Sequence, residues 1–593
     1  MKDPDRLDIL LRTPWAGPWR RFRDPLRIIT AHRAGDVRGA LTDIDQAVRG
    51  GAYAAGFVTY EAAGAFGLPV REPAADLPLV CFGLFAPDSL ESVARLPAAT
   101  HASLGEWQPS IDHAAYLEAI EAIKSRIETG DTYQINFTFR LTAPFTGDPA
   151  ALMRELYAGQ AGPWSAYVDA GDRVICSASP ELFFSLDGDE LVCRPMKGTA
   201  PRGYWPAQDV ARGEALRASG KNRAENVMIV DMVRNDLGRV ARIGSVTVPS
   251  LFDVERYPLQ WQMTSTVAAI TETRSLLRLF EAMFPSGSIT GAPKHSSMGI
   301  IRDLETTPRG LYTGAIGYVS PHGRAHFSVA IRSVVIDRTA GVAEFGIGSG
   351  IVWDSVDRDE YDECVLKARV IGSVGVHERD APSYVVGDAP DFRLLESLLW
   401  TPAEGFALLD RHLARICASA ACFGFPCDPA EMHQMLEAAV EDLRGPAKLR
   451  LLVEPDGSLL CEAVDLNPIA DPLRVALAAA PIDPADVFLY HKTTRRDVYD
   501  RARASHPDAD TVILWNADGE ITEATASNVV VSLGGVKVTP PGECGLLPGT
   551  FRAELLARGE ITERRITKED LVRADEVWLI NSVRGWMGAE LLR

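Results

Sequence analysis

The stretch GIGSGIVWDSVDRDEYDECVLKA (346–368) has closely spaced glycines, followed by a helical pattern that carries several acidic residues. Glu360 and Glu363 are three positions apart, so they share one face of that helix. Gly348 and Gly350 have no Cβ, which lets the backbone approach another group closely. An isolated pair of helical carboxylates is usually a solvated surface, so the rest of the chain must decide what this stretch does.

The chain has 593 residues, more than one hydrophobic core usually serves, so at least two domains are expected. Hydrophobic residues make up 46% and charged residues 24%, which is typical of a soluble globular protein. The absence of a membrane-length apolar run or a signal-peptide core predicts a cytoplasmic protein that does not enter a membrane. A net charge of −19 argues against nucleic-acid binding, and an anionic substrate would need local cations to overcome it. The scattered cysteines indicate free thiols.

Residues 113–129 have apolar residues at helical spacing, and two further helices are predicted around 222–237 and 359–371. The segment GVHERDAPSYVVGDAP (375–390) has mixed charge, two prolines and no periodicity, which is typical of a linker. It predicts one domain over residues 1–374 and a second over residues 391–593.

Six ordered segments of the first domain carry a family resemblance: SASPELFF (177–184), RPMKGTAPRG (194–203), KNRAENVMIVDMVRNDLGRV (221–240), PSGSITGAPKHSSMGIIRDLE (285–305), RGLYTGAIGYVSPHGRAHFSVAIRS (309–333) and the stretch 346–368. Together they resemble the chorismate-binding family of anthranilate, isochorismate and aminodeoxychorismate synthases. The resemblance covers about residues 110–372. It implies large antiparallel β-sheets flanked by helices, within an α+β and α/β two-domain chain.

The resemblance also implies a magnesium site. Glu225 and Glu363 would bind Mg²⁺ directly and Glu360 through water, since Mg²⁺ prefers hard oxygen ligands. Arg332 has a planar fork suited to a carboxylate of chorismate. The residues implied for chorismate binding are Tyr312, Arg332, Gly348, Gly350, Thr290, Gly291 and Lys294.

Lys197, in PMKGT, distinguishes among the enzymes of this family. Anthranilate and isochorismate synthases typically have a small residue there. The lysine resembles that of aminodeoxychorismate synthases, where it is thought to attack ring carbon C2 and expel the 4-hydroxyl before ammonia enters at C4. Glu181 matches the acid that protonates the leaving hydroxyl. Gln262 stands where many members have a histidine linked to pyruvate loss, so amination without elimination is predicted.

The source of ammonia is expected to lie outside this chain. A glutaminase needs a cysteine nucleophile and about 190 further residues. Cys544, in GECG (542–545), lies within the pattern of the second domain, between a strand and a turn. A separate glutamine amidotransferase subunit is therefore predicted as a partner.

The motifs HLARI (412–416), HKTT (491–494) and ExxxSN (523–528) occur in order in the second domain. With these motifs the domain resembles the class IV aminotransferase fold family, and most closely its 4-amino-4-deoxychorismate lyases. The resemblance implies two α/β subdomains and a pyridoxal 5′-phosphate (PLP) site, usually in a homodimer. It also implies that Lys492 binds PLP covalently and moves protons, while Glu523 faces the pyridine nitrogen.

The same resemblance implies further contacts to the cofactor. Arg415 would bind the phosphate, assisted by backbone N–H groups at a helix start. The other residues implied are Asn528, Gly549, Thr550 and Ser582. Members usually have a strand and an acidic turn before the equivalent of LLESLL, and this chain enters almost directly from the linker. The contacts to the substrate are therefore less well defined than those to PLP.

The pair of domains predicts a two-step function. The first domain would make 4-amino-4-deoxychorismate, and the second would expel pyruvate to give 4-aminobenzoate, a folate precursor. One alternative is an anthranilate synthase component I fused to a PLP transaminase, and a narrower one makes only the second domain a branched-chain or D-amino-acid transaminase. A third is a chorismate-binding module in which one domain is catalytically silent.

Overall fold

A computed structural model describes residues 6–13, 19–74, 77–160, 162–368, 371 and 391–592. The chain divides into two compact units. The first comprises Met1–Pro201 and Arg212–Glu378, and the second comprises Arg202–Ala211 and Arg379–Arg593. The linker predicted over 375–390 lies outside the described residues. No helix in the described ranges is both long and apolar enough to cross a membrane.

Strands dominate the first unit. They are β1 (Asp8–Leu11), β2 (Trp19–Phe22), β3 (Arg27–Ala31), β4 (Tyr53–Val58), β5 (Val80–Phe85), β6 (Leu90–Val93), β7 (Ala102–Leu104), β8 (Gln108–Pro109), β9 (Gln134–Gly147), β10 (Ala166–Ala170), β11 (Arg173–Ser177), β12 (Leu182–Asp187), β13 (Glu190–Arg194), β14 (Met196–Pro201), β15 (Thr247–Arg256), β16 (Gln260–Ile270), β17 (Gly291–Ala292), β18 (Ala315–Val319), β19 (Arg324–Val329), β20 (Ser333–Asp337) and β21 (Val342–Ile351). They form two large sheets, and the pairings given for both are antiparallel.

The first sheet has the order β17-β9-β21-β20-β11-β10-β1-β2-β6, with β7 and β8 beside β9. The second has the order β14-β16-β13-β12-β19-β18-β4-β5-β3, with β15 beside β16. One apolar cluster joins the facing sides of the sheets, including Ile9 and Phe22 from the first and Phe57 and Tyr318 from the second. The sheets therefore pack face to face.

The helices of the first unit are α1 (Ala34–Arg49), α2 (His113–Glu128), α3 (Pro149–Gln160), α5 (Gly220–Gly238), α6 (Leu276–Met283), α7 (Lys294–Leu304) and α8 (Asp357–Ala368). A further helix, α4 (Pro206–Ala218), begins in the segment assigned to the second unit and ends in the first. Helix α2 buries Tyr116, Ile120 and Ile123, which confirms the predicted apolar face, and the Asp112 side chain caps its first turn. Helices α5 and α8 confirm the other two predicted segments within one to three residues at the described ends.

The second unit contains two sheets. Its strands are β22 (Leu394–Thr401), β23 (Gly405–Phe406), β24 (Ala447–Val453), β25 (Leu459–Asp465), β26 (Leu473–Leu477), β27 (Thr511–Trp515), β28 (Ile521–Ala524), β29 (Ser527–Leu533), β30 (Val536–Thr539), β31 (Thr562–Glu563), β32 (Glu576–Asn581) and β33 (Gly585–Leu591). Its helices are α9 (Leu409–Phe423), α10 (Pro429–Val440), α11 (Asp497–Ala504), α12 (Thr550–Ala557) and α13 (Lys568–Arg573).

The smaller sheet is antiparallel, with the order β23-β22-β24-β25. The larger has the order β28-β27-β26-β33-β32-β29-β30-β31 and a further β28–β29 pairing that closes six strands into a barrel. Parallel pairings on both sides of β26 make this sheet mixed. The two-domain α+β and α/β fold class is confirmed. All nine cysteines are free thiols, as expected.

Candidate active sites

The first unit contains a cavity of about 670 Å³, counting the part open to solvent. Six residues predicted from the sequence lie in its lining: Lys197, Glu181, Tyr312, Arg332, Gly348 and Glu363. They come from loops, strands and a helix far apart in the chain. The lining therefore holds an amine, an acid, a guanidinium and a phenol around one space.

Lys197 lies on β14 and is largely buried. Its Nζ is 3.2 Å from Oε2 of Glu225 on α5. A Cβ placed on Gly350 would lie 2.1 Å from the same Nζ, so Gly350 provides the room for the lysine side chain. Gln262 donates a 2.7 Å hydrogen bond from Nε2 to the carbonyl of Gly198, which braces the strand next to the lysine.

Glu181 lies at the start of β12 and is 2% exposed. Its Oε1 accepts a 2.5 Å hydrogen bond from the Ser288 hydroxyl. Burial raises the pKa of Glu181 to about 8, although the Ser288 bond acts in the opposite direction. Glu181 is therefore protonated at neutral pH and able to donate a proton, which is the state its predicted role requires.

Arg332 is a buried cation on the cavity wall, held by hydrogen bonds to the Lys367 carbonyl and to Oε1 of Gln260. Within the described residues, no carboxylate lies within ion-pair distance of it. Burial lowers its pKa to about 10, which leaves it charged at neutral pH. Tyr312 lies in the same wall. The Arg140 guanidinium carbon lies over the Tyr312 ring, 4.8 Å from the ring centroid. This wall suits an anion.

The three predicted carboxylates each face an ammonium group. Glu363 pairs with Lys367 at 2.5 Å, and Oε1 of Glu360 is 3.6 Å from Lys221 Nζ. Oε2 of Glu360 is buried and has no hydrogen-bond partner among the described atoms. Within those residues no three metal-binding side chains lie grouped around one point, and each of the three carboxylates has a lysine ammonium group beside it.

The remaining predicted contacts of the first cavity are placed differently. Thr290, Gly291 and Lys294 are not among the described lining residues. Lys294 Nζ instead pairs with Asp236 at 2.6 Å, which makes it part of the packing behind the cavity. The backbone at Gly348 packs closely against the Phe137 carbonyl, because a Cβ added to Gly348 would lie 2.3 Å from that oxygen.

The second unit contains a cavity of about 900 Å³, counted in the same way. All seven residues predicted from the PLP resemblance line it: Lys492, Glu523, Arg415, Asn528, Gly549, Thr550 and Ser582. They come from α9, the loop after the Val487–Leu489 turn, strands β28 and β29, the start of α12 and the turn before β33. The structure therefore brings the whole predicted set together.

Lys492 and Glu523 carry the titratable groups of this cavity. Burial and the nearby charge of Arg415 lower the pKa of Lys492 to about 8. Burial raises the pKa of Glu523 to about 7. Its Oε1 accepts a 2.8 Å bond from the Tyr499 hydroxyl and a 3.1 Å bond from the N–H of Leu547. The cavity thus holds an amine and an acid whose pKa values both lie near neutral pH.

Arg415 is fixed by a two-point ion pair. Its Nε and one terminal nitrogen donate 2.7 Å hydrogen bonds to the two oxygens of Glu396, a buried residue of β22. Nδ1 of His412 contacts the same carboxylate at 2.6 Å, and its Nε2 lies 3.2 Å from the Thr550 hydroxyl. This network orients Arg415 toward the start of α12.

Asn528 and Gly549 determine the shape of that helix start. Asn528 Nδ2 donates to the Leu547 carbonyl at 2.8 Å. A Cβ on Gly549 would lie 2.0 Å from Asn528 Oδ1, so glycine is required there for close packing. Ser582 donates a long 3.4 Å hydrogen bond to the Ser397 carbonyl. These contacts of Asn528 hold the turn before α12 in position beside Glu523.

Residues 23–373, more than half of the chain, match the family model described as chorismate binding enzyme. The chain belongs to the chorismate-binding enzyme family. The aminodeoxychorismate synthase component 1 of Klebsiella aerogenes is 40% identical over 283 residues, which are 48% of this chain and 62% of that protein. The anthranilate synthase component 1 of Thermus thermophilus is 38% identical over 266 residues, 45% of this chain and 57% of that protein.

The solved anthranilate synthase component I of Streptococcus pneumoniae confirms the fold of the chorismate-binding domain. It is 24% identical with a TM-score of 0.52, over 62% of this chain and 92% of that one. The chain spans less than two thirds of the length of the curated relatives named above.

Residues 393–591 match the model described as amino-transferase class IV, so the second unit is a class IV aminotransferase domain. That family implies PLP, and the second cavity suits it. Lys492 would supply an amine and Glu523 an acid for the pyridine nitrogen. Arg415 and the helix start at Thr550 would supply an anion site for the phosphate.

Several residues of both sites were not predicted from the sequence. In the chorismate-binding domain, Ser288 carries no sign of its role, because it is 107 positions from the Glu181 it contacts. In the class IV domain, Tyr499 follows Lys492 by seven residues, a spacing that could have marked it. Burial raises the pKa of the Cys544 thiol to about 12, which disfavours the thiolate form that a cysteine nucleophile needs.

Proposed function

We propose that this chain converts chorismate and ammonia to 4-amino-4-deoxychorismate in the chorismate-binding domain. The class IV domain then releases pyruvate and 4-aminobenzoate. The observation that carries this proposal is the Lys197 amine in the lining of the first cavity, together with Glu181 and Arg332. Overall similarity does not decide between functions, because aminodeoxychorismate and anthranilate synthases match at 40% and 38% identity.

In the first step, the Lys197 amine forms a bond to C2 of chorismate. The ring double bonds shift and the C4–O bond breaks. Glu181, protonated at neutral pH, gives its proton to the departing hydroxyl, which leaves as water. Ammonia then bonds to C4, the double bonds shift back, and the C2–N bond to Lys197 breaks. The surplus proton on the new amine passes to solvent or to Glu181.

Arg332 would bind one carboxylate of chorismate, because it is a buried cation without a carboxylate partner among the described residues. We place Mg²⁺ against the other carboxylate, held by Glu225 and Glu363 directly and by Glu360 through water. The unpartnered Oε2 of Glu360 is the observation that fits a cation there. Bound Mg²⁺ would neutralise the carboxylate of the substrate.

In the second step, bound PLP would supply an electron sink for the ring carbon that bears the amine. Lys492 would hold the cofactor and would take the proton from that carbon. The C–O bond to the enolpyruvyl group would break, and pyruvate would leave after its methylene carbon gains a proton. Glu523 would keep a proton at the pyridine nitrogen, and Arg415 with Thr550 would bind the phosphate. Formation of an aromatic ring drives the step.

The ammonia would come from a separate glutamine amidotransferase subunit, in line with the "component 1" names of relatives. We also place a homodimer contact in the class IV domain. If the purified chain uses glutamine as efficiently as ammonium salt, the separate subunit is excluded. Light scattering tests the dimer.

The experiment is incubation of the purified chain with chorismate, ammonium, Mg²⁺ and PLP, followed by chromatography. Wild type should yield 4-aminobenzoate, and Lys492→Ala should accumulate 4-amino-4-deoxychorismate. Lys197→Ala should yield neither product, whereas the matched control Lys537→Ala, outside both cavities, should behave like wild type. Release of anthranilate would overturn the proposal. Neither product from wild type would favour a silent domain.

A further inference from the structure

Three cations of the second cavity have no role in the proposed chemistry. They are Lys448 on β24, Arg496 just before α11 and Arg584 in the turn before β33, and we call them the cation cluster. All three are half-buried. Their proximity could not be predicted from the sequence, because they lie 48 and 88 positions apart in the chain.

The cation cluster lacks negative partners. Among the described residues, none of its members forms an ion pair with a carboxylate, whereas the neighbouring Arg450 pairs with Glu462 at 3.6 Å. Arg496 and Arg584 each donate to one backbone carbonyl, of Thr525 and Asn467 respectively. Each guanidinium keeps donors that these bonds do not use.

Like charges surround Lys448. Burial lowers its pKa, and so does the charge of Arg450, Arg584 and Arg496. Holding these cations together without an anion costs free energy that a bound anion would recover. Such an arrangement is typical of a ligand site rather than of a structural ion pair.

The phosphate of the cofactor has its own anchors at Arg415 and the start of α12. It carries about two negative charges. Five cationic side chains line the cavity, and Glu523 is the one carboxylate in the described lining. Positive charge therefore remains after the phosphate is bound.

We propose that the cation cluster binds the carboxylates of a dicarboxylate substrate in the class IV domain and so selects it over monocarboxylate amines. This inference rests on the proposed function, because 4-amino-4-deoxychorismate carries two carboxylates. Arg496 also stacks on the Tyr499 ring, 4.5 Å from its centroid, and the hydroxyl of Tyr499 donates a hydrogen bond to Glu523. Lys448 and Arg584 are the members whose change leaves that stack intact.

The test uses the full chain loaded with PLP, whose visible absorbance reports on the second cavity alone. The probes are 3-[(1-carboxyethenyl)oxy]benzoate, a dicarboxylate without an amine, and benzoate. Wild type should bind the dicarboxylate at least 10-fold more tightly than benzoate. Lys448→Gln and Arg584→Gln should each weaken dicarboxylate binding about 10-fold and change benzoate binding less. Arg450→Gln, which removes a charge from the same strand outside the lining, should match wild type.

Unchanged dicarboxylate binding in both variants, or no preference for the dicarboxylate in wild type, would overturn the proposal. Loss of PLP from both variants, measured after dialysis, would also overturn it and assign the cluster to the phosphate. Product analysis of wild type separates this test from the proposed function. If 4-aminobenzoate forms while the variants bind normally, only the subsite fails. If no 4-aminobenzoate forms while discrimination persists, only the function fails.

Discussion

The Ser288 hydroxyl and Glu181 form a 2.5 Å hydrogen bond inside the first cavity, and both side chains are buried. The bond favours the carboxylate form and burial favours the acid. Burial dominates, since the pKa of Glu181 is raised to about 8. At neutral pH the cavity that contains the Lys197 amine therefore also contains a protonated Glu181.

Amination should therefore slow as the pH rises through about 8, because Glu181 must be protonated to act as an acid. Ser288→Ala removes a bond that favours the carboxylate, so the pKa of Glu181 should rise. One net hydrogen bond of about 1 kcal/mol moves the alkaline limb up by about 0.5–1 pH unit. The measurement is kcat/KM for chorismate against pH at a fixed concentration of free ammonia.

Two controls accompany this profile. Glu181→Gln should lose the limb and about 100-fold or more in rate, the size of a general acid's contribution. An alkaline limb at the same pH in Ser288→Ala and wild type would contradict the assignment.

Arg332→Gln should raise the KM for chorismate about 10- to 100-fold with a smaller change in kcat. A charge-assisted hydrogen bond contributes about 1.5–3 kcal/mol, and this one would act on the bound substrate before reaction. Steady-state kinetics with ammonium measures it. Arg338→Gln, which removes a guanidinium paired with Asp169, should leave KM unchanged. If both variants raise the KM for chorismate equally, the cause would be a loss of fold stability and not a lost contact with the substrate.

Gly350→Ala should abolish amination while the protein stays folded. The new Cβ would lie 2.1 Å from Lys197 Nζ. Because the end of the lysine side chain is flexible, it should move out of its position while the backbone stays in place. We expect a loss of about 100-fold or more, with thermal unfolding within a few degrees of wild type. Gly39→Ala on α1, where a Cβ meets nothing within 4 Å, is the matched control. Full activity in Gly350→Ala would show that Lys197 has room elsewhere.

Glu396→Gln should destabilise the class IV domain by about 3–5 kcal/mol at pH 7, because it leaves buried Arg415 without its counter-charge. Burial raises the pKa of Glu396, but Arg415 and His412 outweigh it and lower the pKa to about 2, from an ordinary 4.5. This stabilisation is complete above about pH 4.5 and is lost as the pH falls toward 2.

Urea unfolding of the full chain at pH 7 and pH 3.5, followed by tryptophan fluorescence, measures that difference. The gap between wild type and Glu396→Gln should shrink at the lower pH. Glu462→Gln breaks a half-exposed pair with Arg450 and should cost less than about 1 kcal/mol. A gap that stays constant with pH would show that Glu396 is not the titrating group.

Much of the second cavity follows from the sequence, because each predicted PLP contact lies in a local motif. Contacts between motifs do not follow. Glu396 was an ordinary residue of LLESLL until β22 placed it beside Arg415, 19 positions away. Lys294 lies in a motif that pointed to the pocket, yet it pairs with Asp236, since orientation depends on how α5 and α7 pack. Pattern identifies which groups are present, and packing decides which of them face the cavity.

The fit between Gly350 and the end of Lys197 also constrains how such an enzyme can change over generations. A chain that first replaces Lys197 with a small residue empties the space, after which position 350 can accept larger residues without harm. The opposite order passes through a protein that has lost its amine from the cavity. Once position 350 has gained a side chain, restoring lysine at 197 no longer restores amination. Amination is therefore easier to lose than to regain, because Lys197 can occupy its position only while residue 350 has no Cβ.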